Sequence, residues 1–221
     1  MRHHAASVAA RARRFFRGPV VGSEQSSEWY DEMFEATSKY HVEYQDSPYY
    51  FLWSVIVDRI RRDGLRHVLE IGCGTGQLAA YLLEQGIDSY VGIDFSAKAV
   101  DYARRMAPGG RFLVDDARAS NIYTEEEHDV LVCTEVLEHI TEDLDVVVRF
   151  RPGTRCIFSV PSYDSASHVR FFGDPGAVTA RYSPYFDRLD VVQLRILSTG
   201  APGINTIFLA DGERNDVAVR L

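Results

Sequence analysis

The stretch VLEIGCGTGQLA at residues 68–79 constrains the fold more than any other: an apolar run closes on Gly72, Gly74 and Gly76, and a helix-forming segment follows at once. An ordinary strand-to-helix turn is usually satisfied by one glycine. Three in alternation indicate that the backbone passes close to a ligand, where side chains would block the approach.

The surrounding pattern supplies the architecture. From residue 67 onward HVLEI, YVGID, RFLVD, DVLVC and RCIFSV read as strands, with helix-like stretches around 76–85, 97–106 and 142–149 between them. This alternation predicts βαβ units, hence a Rossmann-like, doubly wound α/β sheet, mostly parallel, with helices on both faces. LDVVQLRIL and NTIFLAD are separated only by STGAPGI. No crossover helix fits there, so the two form an antiparallel C-terminal hairpin at the sheet edge. Upstream, SSEWYDEMFEAT predicts a short helix, with a serine cap and with Trp29, Met33 and Phe34 on one side. YYFLWSVIVDRIRRDG repeats apolar residues at Leu52, Val55, Ile56 and Ile60 and stops at Gly64, which suits a docking helix.

A dinucleotide fingerprint would need glycine at position 77, where Gln77 stands, and a phosphate-cradling loop would need a Lys-Ser or Lys-Thr pair after the glycines. What remains is Glu70-x-Gly72-x-Gly74-x-Gly76, and over residues 66–221 the chain resembles the class I S-adenosylmethionine-dependent methyltransferases. The resemblance implies S-adenosylmethionine as cofactor. It places Gly72, Cys73, Gly74 and Gly76 against the methionine moiety, with Glu70 organising the pocket. Asp94, followed by Phe95, ends the second strand 22 residues beyond Gly72, where an acid accepts hydrogen bonds from ribose hydroxyls; capping a helix is its competing role. Asp116 and Ala117 match the family position that reads the adenine edge, whereas Asp115 is read as solvated. Acids here have a physical use as well, since the cofactor carries a sulfonium and an ammonium cation.

CTEVLEHITED at 133–143 follows the fourth strand and sets Glu135, Glu138 and His139 at i, i+3 and i+4, one shared face of a helix. Val136, Leu137 and Ile140 serve the core from the other face. Three readings stand side by side. The charges form a solvated face; or Thr134 and Glu135 line the cofactor while His139 faces the acceptor; or Glu135, Glu138 and His139, completed by His168, hold a divalent metal. The third rests on E-x-x-E-H, which is similar to the motif of ubiquinone-biosynthesis O-methyltransferases and small-RNA 3′-end methyltransferases. The catalytic assignment is His139 and His168 as proton acceptors, with no metal assigned. The loop SVPSYDSASHVRFF suits a partly polar, partly aromatic acceptor or forms a capped surface helix. Tyr30, Tyr40, Tyr44, Tyr49 and Tyr50 are expected either to roof the pocket or to pack in the core.

The expected organisation is a flexible basic arm at 1–23, an N-terminal helical lid at 24–64 and a methyltransferase domain at 65–221. The net charge of -8 conceals five arginines and no acid in residues 1–23, leaving -13 for the remainder. The arm resembles a transit peptide in composition or an RNA- or membrane-touching segment, against the plain alternative of a frayed terminus. An acidic body disfavours general nucleic-acid binding. No apolar run is long enough to span a bilayer. Cys73, Cys133 and Cys156 match no zinc or disulfide spacing, which points to a reducing, cytoplasmic setting. The function expected is methyl transfer to an oxygen or nitrogen of a small molecule. The alternatives are a metal-dependent RNA methyltransferase and a non-catalytic cofactor-binding protein.

Overall fold

The computed structural model describes residues 22–197 and 204–216. The expectations for the basic arm up to residue 21 and for the hairpin turn at 198–203 lie outside the described residues.

Runs of valine, isoleucine and leucine build five parallel strands: β1 (His67–Ile71), β2 (Ser89–Asp94), β3 (Arg111–Val114), β4 (Val130–Thr134) and β5 (Arg155–Pro161). β6 (Phe186–Leu197) and β7 (Ile204–Arg214) complete a seven-stranded sheet in the order β3-β2-β1-β4-β5-β7-β6. β7 runs antiparallel to both β5 and β6, so the C-terminal hairpin lies at the edge as its spacing predicts. The central strands are apolar throughout because helices cover both their faces. On one face α2 (Tyr50–Arg62), α3 (Gln77–Glu84) and α4 (Ala97–Met106) bring Ile56, Leu82 and Val100 onto Val68 and Val130. On the other, α5 (Ile122–Glu125), α6 (Asp143–Val147) and α7 (Pro175–Tyr182) bring Tyr123, Val146 and Val178 onto Leu69 and Leu131. The remaining helix, α1 (Ser27–Ala36), crosses the carboxyl end of the sheet and is capped by Ser26.

α2 is a docking helix, with Leu52, Ile56 and Ile60 wholly buried, and it adds Trp53 to a cavity wall otherwise built, within residues 24–64, by α1 and the segments up to Tyr49. The predicted helix at 142–149 is shorter, Asp143–Val147. CTEVLEHI is not helical: Glu135 takes φ 56°, and only a 3-10 turn at Leu137–His139 follows. A left-handed residue directly after β4 redirects the chain and ends the i, i+3, i+4 relation. Residues 162–174 form no helix; α7 begins after them, at Asp174-Pro175, with Asp174 accepting from the Ala177 N–H and Pro175 in the first turn. Asp-Pro at that start is a cap signal legible in the sequence.

Candidate functional site

β1 ends in the glycine loop, and β2 holds it: the Gly72 and Cys73 N–H groups both donate to the Ile93 carbonyl, at 2.8 and 2.9 Å. Gly72, Gly74 and Gly76 have φ of 73°, 51° and 82°, a region costly for any side chain. Two of the three answer to packing. A Cβ on Gly72 would overlap the Val136 side chain, and one on Gly76 would lie 2.7 Å from the Ala103 Cα where α3 crosses α4. Gly74 alone faces open space, with only the Phe34 ring 3.7 Å from an added Cβ. Close packing therefore explains Gly72 and Gly76, and Gly74 leaves its Cβ direction open in the cavity wall.

The acids expected at the cofactor end are buried around this loop. Asp94 Oδ2 accepts from the Gly74 N–H and Oδ1 from the Ser96 N–H, both at 2.9 Å, so Asp94 holds the loop while Ser96 caps α4. Burial pushes its carboxyl up to about 6. Glu70 sits at the cavity floor, accepts the Tyr90 hydroxyl hydrogen and is pushed by burial up to about 8. Asp115 is not simply solvated: its oxygens accept from the Asp116 N–H and the Ser120 hydroxyl and shape the turn after β3. Asp116 lies beside Ala117 on the cavity wall, but both its oxygens already accept from the Arg118 guanidinium, which holds the carboxyl below its ordinary range. Phe95 packs against Tyr30, with ring centres 5.1 Å apart.

These groups line one end of a cavity of about 410 Å³ whose other end is formed by Thr134, Glu135, His139 and His168. Glu135 turns back to β5: its Oε1 accepts from the Ser159 hydroxyl at 2.9 Å and its Oε2 from the Tyr163 hydroxyl at 3.2 Å. Glu138 points the other way and is fully buried, so the solvated-face reading is overturned. Neither of its oxygens has a hydrogen-bond partner. An ionised carboxylate so placed is costly, and burial holds its carboxyl well above the usual range.

Two imidazoles complete this corner. One ligand atom from each of Glu138, His139 and His168 lies within 4.8 Å of the others. The His139 Nδ1–H donates to the Ser167 carbonyl at 2.9 Å and the His168 Nδ1–H to the Tyr163 carbonyl at 3.0 Å. Both rings therefore keep an Nε2 lone pair when neutral. Burial and the neighbouring His168 push His139 down to about 4. It does not titrate near neutrality as an unperturbed imidazole would, and as a base it is weak.

Arg170 fixes the geometry by donating to the carbonyls of Leu137, Ile140 and Thr141, while the Val169 N–H donates to the Glu138 carbonyl. Arg170 also pairs with buried Asp143, as does Arg181. The 137–141 turn and the His168 loop are thus one hydrogen-bonded unit.

The roof is aromatic. Trp29, Tyr30, Phe34, Tyr40 and Tyr49 line the cavity, whereas Tyr44 stacks on Tyr81 and donates to Glu84, and Tyr50 packs on the same ring. Asp31 ties α1 to α4, accepting from the Ser96 hydroxyl at 2.5 Å and the Lys98 N–H at 3.0 Å. Glu24 accepts from Arg118 and from the Thr141 N–H. Gln77 donates to the Lys39 and Val42 carbonyls. Gln77, Lys39 and Ser159 carry no local signal of these contacts, because their partners lie 24 to 38 residues away in sequence.

Residues 68–150 match the family model described as a methyltransferase domain. The ubiquinone biosynthesis O-methyltransferase of Aliivibrio fischeri (strain MJ11) is 31% identical over 112 residues, 47% of each chain. That of Aromatoleum aromaticum is 30% identical over 145 residues, 62% of this chain and 58% of the relative. The chain thus spans about half the length of the curated relatives it matches. Among solved structures, magnesium protoporphyrin IX methyltransferase from Synechocystis PCC 6803 with bound S-adenosylmethionine aligns with TM-score 0.61 at 16% identity, over 85% of this chain and 97% of that one. The N-methyltransferase NodS from Bradyrhizobium japonicum WM9 in complex with S-adenosyl-L-homocysteine aligns with TM-score 0.61 at 18% identity, over 86% and 99%. The Rossmann-like sheet with its C-terminal hairpin is the fold shared with these methyltransferases.

Proposed function

We propose that this chain is an S-adenosylmethionine-dependent methyltransferase acting on an oxygen or nitrogen of a small molecule. The observation that carries the reading is one cavity that joins the glycine loop and buried acids to His139 and His168, with buried Glu138 beside the two imidazoles, under an aromatic roof. The cofactor fits the residues present: Gly74 leaves its Cβ direction open, and the buried Asp94 carboxylate suits a cationic ligand. Asp94 would hold the ribose, Ala117 and Asp116 the adenine, and Gly72, Cys73, Gly74, Thr134 and Glu135 the methionine end. When bound, the cofactor supplies an electrophilic methyl group on a sulfonium.

The chain's own work is positioning and exclusion of water. α1 and the turn at Ser38–Tyr40 close over the cavity, so acceptor and cofactor are held together in near-attack geometry. His139 and His168 are neutral at pH 7 and present Nε2 lone pairs toward the acceptor end.

A specific observation favours a cation there over simple proton acceptance. A fully buried carboxylate with both oxygens unpartnered, beside two oriented imidazoles, has the chemistry of a divalent-metal donor set. Such an ion would lower the pKa of a bound acceptor hydroxyl, a task for which a weakly basic imidazole is poorly suited.

Isothermal titration of the protein with S-adenosylmethionine, S-adenosylhomocysteine and NAD tests the main reading. Binding of both adenosyl ligands and not NAD is expected, and binding of NAD alone refutes it. Methyl transfer that survives exhaustive chelation refutes the metal and returns His139 and His168 to proton acceptance.

A further inference from the structure

Among the described residues that line the cavity, the acids far outnumber the cations. Glu24, Glu70, Asp94, Asp115, Asp116 and Glu135 all line it, and the basic side chains are Arg118 and Lys39. Arg118 is spent on Asp116 and Glu24. Lys39 forms no ion pair with any described residue. Its Nζ lies 4.6 Å from the centre of the Tyr40 ring and 5.8 Å from that of Tyr49. Two aromatic faces hold the ammonium in place without neutralising it. Glu135 is close enough to favour the charged form, but its oxygens accept from Ser159 and Tyr163.

The position is fixed by backbone. Gln77, the first residue after the glycine loop, donates to the carbonyls of Lys39 and Val42 at 3.2 and 2.7 Å, fastening the turn that carries Lys39 to the first turn of α3. A half-buried ammonium, unpaired and pinned beside a ligand loop, is a ready partner for an anion. In a cavity lined otherwise by carboxyl groups and aromatic rings, it is also the group such a ligand would need.

We propose that Lys39 is a carboxylate-recognition residue of this cavity and a determinant of which ligands bind under the lid. The proposal rests on the methyltransferase reading and names a residue that reading does not use. Two ligands bring a carboxylate here: the cofactor, through its methionine end, and an acceptor that is an aromatic acid. The tether to α3 places Lys39 beside the glycine loop, so the cofactor's carboxylate is the expected source.

The test is isothermal titration of the full chain and its Lys39→Met and Lys39→Arg variants. The probes are S-adenosylhomocysteine and 5′-methylthioadenosine, which lacks the amino-acid end. Lys39→Met should weaken S-adenosylhomocysteine by about tenfold or more, the worth of a charge-assisted hydrogen bond, and leave 5′-methylthioadenosine unchanged. Lys39→Arg should restore most of the loss. A second arm titrates the protein saturated with S-adenosylhomocysteine with 3,4-dihydroxybenzoate and with catechol. Loss of preference for the acid in Lys39→Met, with nucleoside binding intact, assigns the carboxylate to the acceptor. If Lys39→Met changes neither the nucleoside ratio nor the acid-to-catechol ratio, the proposal is overturned. If the wild-type protein binds neither nucleoside, the methyltransferase reading itself fails, and that outcome is seen before any variant is compared.

Discussion

Glu135 and Glu138 are three positions apart and end in opposite environments. Glu135 has hydroxyl donors on both oxygens, while Glu138 has none and is sealed from solvent. The letters E-x-x-E-H show which residue types are present, but the side each faces depends on the φ of 56° at Glu135, for which glycine or asparagine is the usual signal. A buried carboxylate without donors is unfavourable for the unliganded fold, so its replacement by an apolar group of similar shape separates stability from function. Glu138→Met should raise unfolding stability by about 1–3 kcal/mol in chemical denaturation while methyl transfer is lost. A variant that loses stability would show that the carboxylate is structural. At the cofactor end, Asp94→Ala removes the acceptor for the Gly74 and Ser96 N–H groups. S-adenosylhomocysteine affinity should fall roughly tenfold to a hundredfold, read by titration.

The elements with the strongest local signals are those that match. α4 is Ala97–Met106 as its spacing predicts, the five parallel strands agree within a residue or two, and the Ser26 and Ser96 caps are in place. Elements whose conformation depends on distant partners do not match. The 137–141 turn is held by Arg170 and Val169 from the loop beyond β5, and no periodicity within CTEVLEHI records those bonds. The lid is a similar case. α1 is legible as a helix, but its place over the site depends on Asp31 reaching Ser96 and Lys98, 65 and 67 residues away. Asp31→Ala should leave global stability within about 1 kcal/mol, because the contact is at the periphery. It should speed dissociation of S-adenosylhomocysteine by about tenfold in stopped-flow fluorescence, because one of the lid's ties is gone. An unchanged off-rate would assign lid closure to Glu24 and Gln77 instead.

For the molecule as a whole, burial of acids around the cavity has a thermodynamic signature. Glu70 is raised from an ordinary 4.5 to about 8, so between those values the folded state holds a proton that the unfolded chain has released. Stability from a raised acid is present at low pH and falls as pH rises through that window. Asp94, raised to about 6, acts the same way lower down, while buried His128, pushed down to about 4, opposes both below pH 6.5. Between pH 6.5 and 8 Glu70 acts together with Glu138, which burial also holds well above the usual range. The unliganded protein should therefore lose about 1–2 kcal/mol from Glu70 alone across that interval in denaturant titrations, and Glu70→Gln should lower the slope by that share. A stability that rises with pH there would show Glu70 to be ionised in the fold.

The amino-acid sequence by itself determined the strands, most of the longer helices, the sheet with its edge hairpin and the acid-plus-glycine loop, because periodicity, caps and turn chemistry act over a few residues. Only the tertiary structure decided which glycine faces the cavity, which glutamate is left without partners, that Lys39 lines the cavity with no ion pair to a described residue and that α1 lines it where α2 adds Trp53. Those outcomes come from contacts between segments tens of residues apart, where burial and the count of available donors, set by the packing of other elements, fix the state of each side chain.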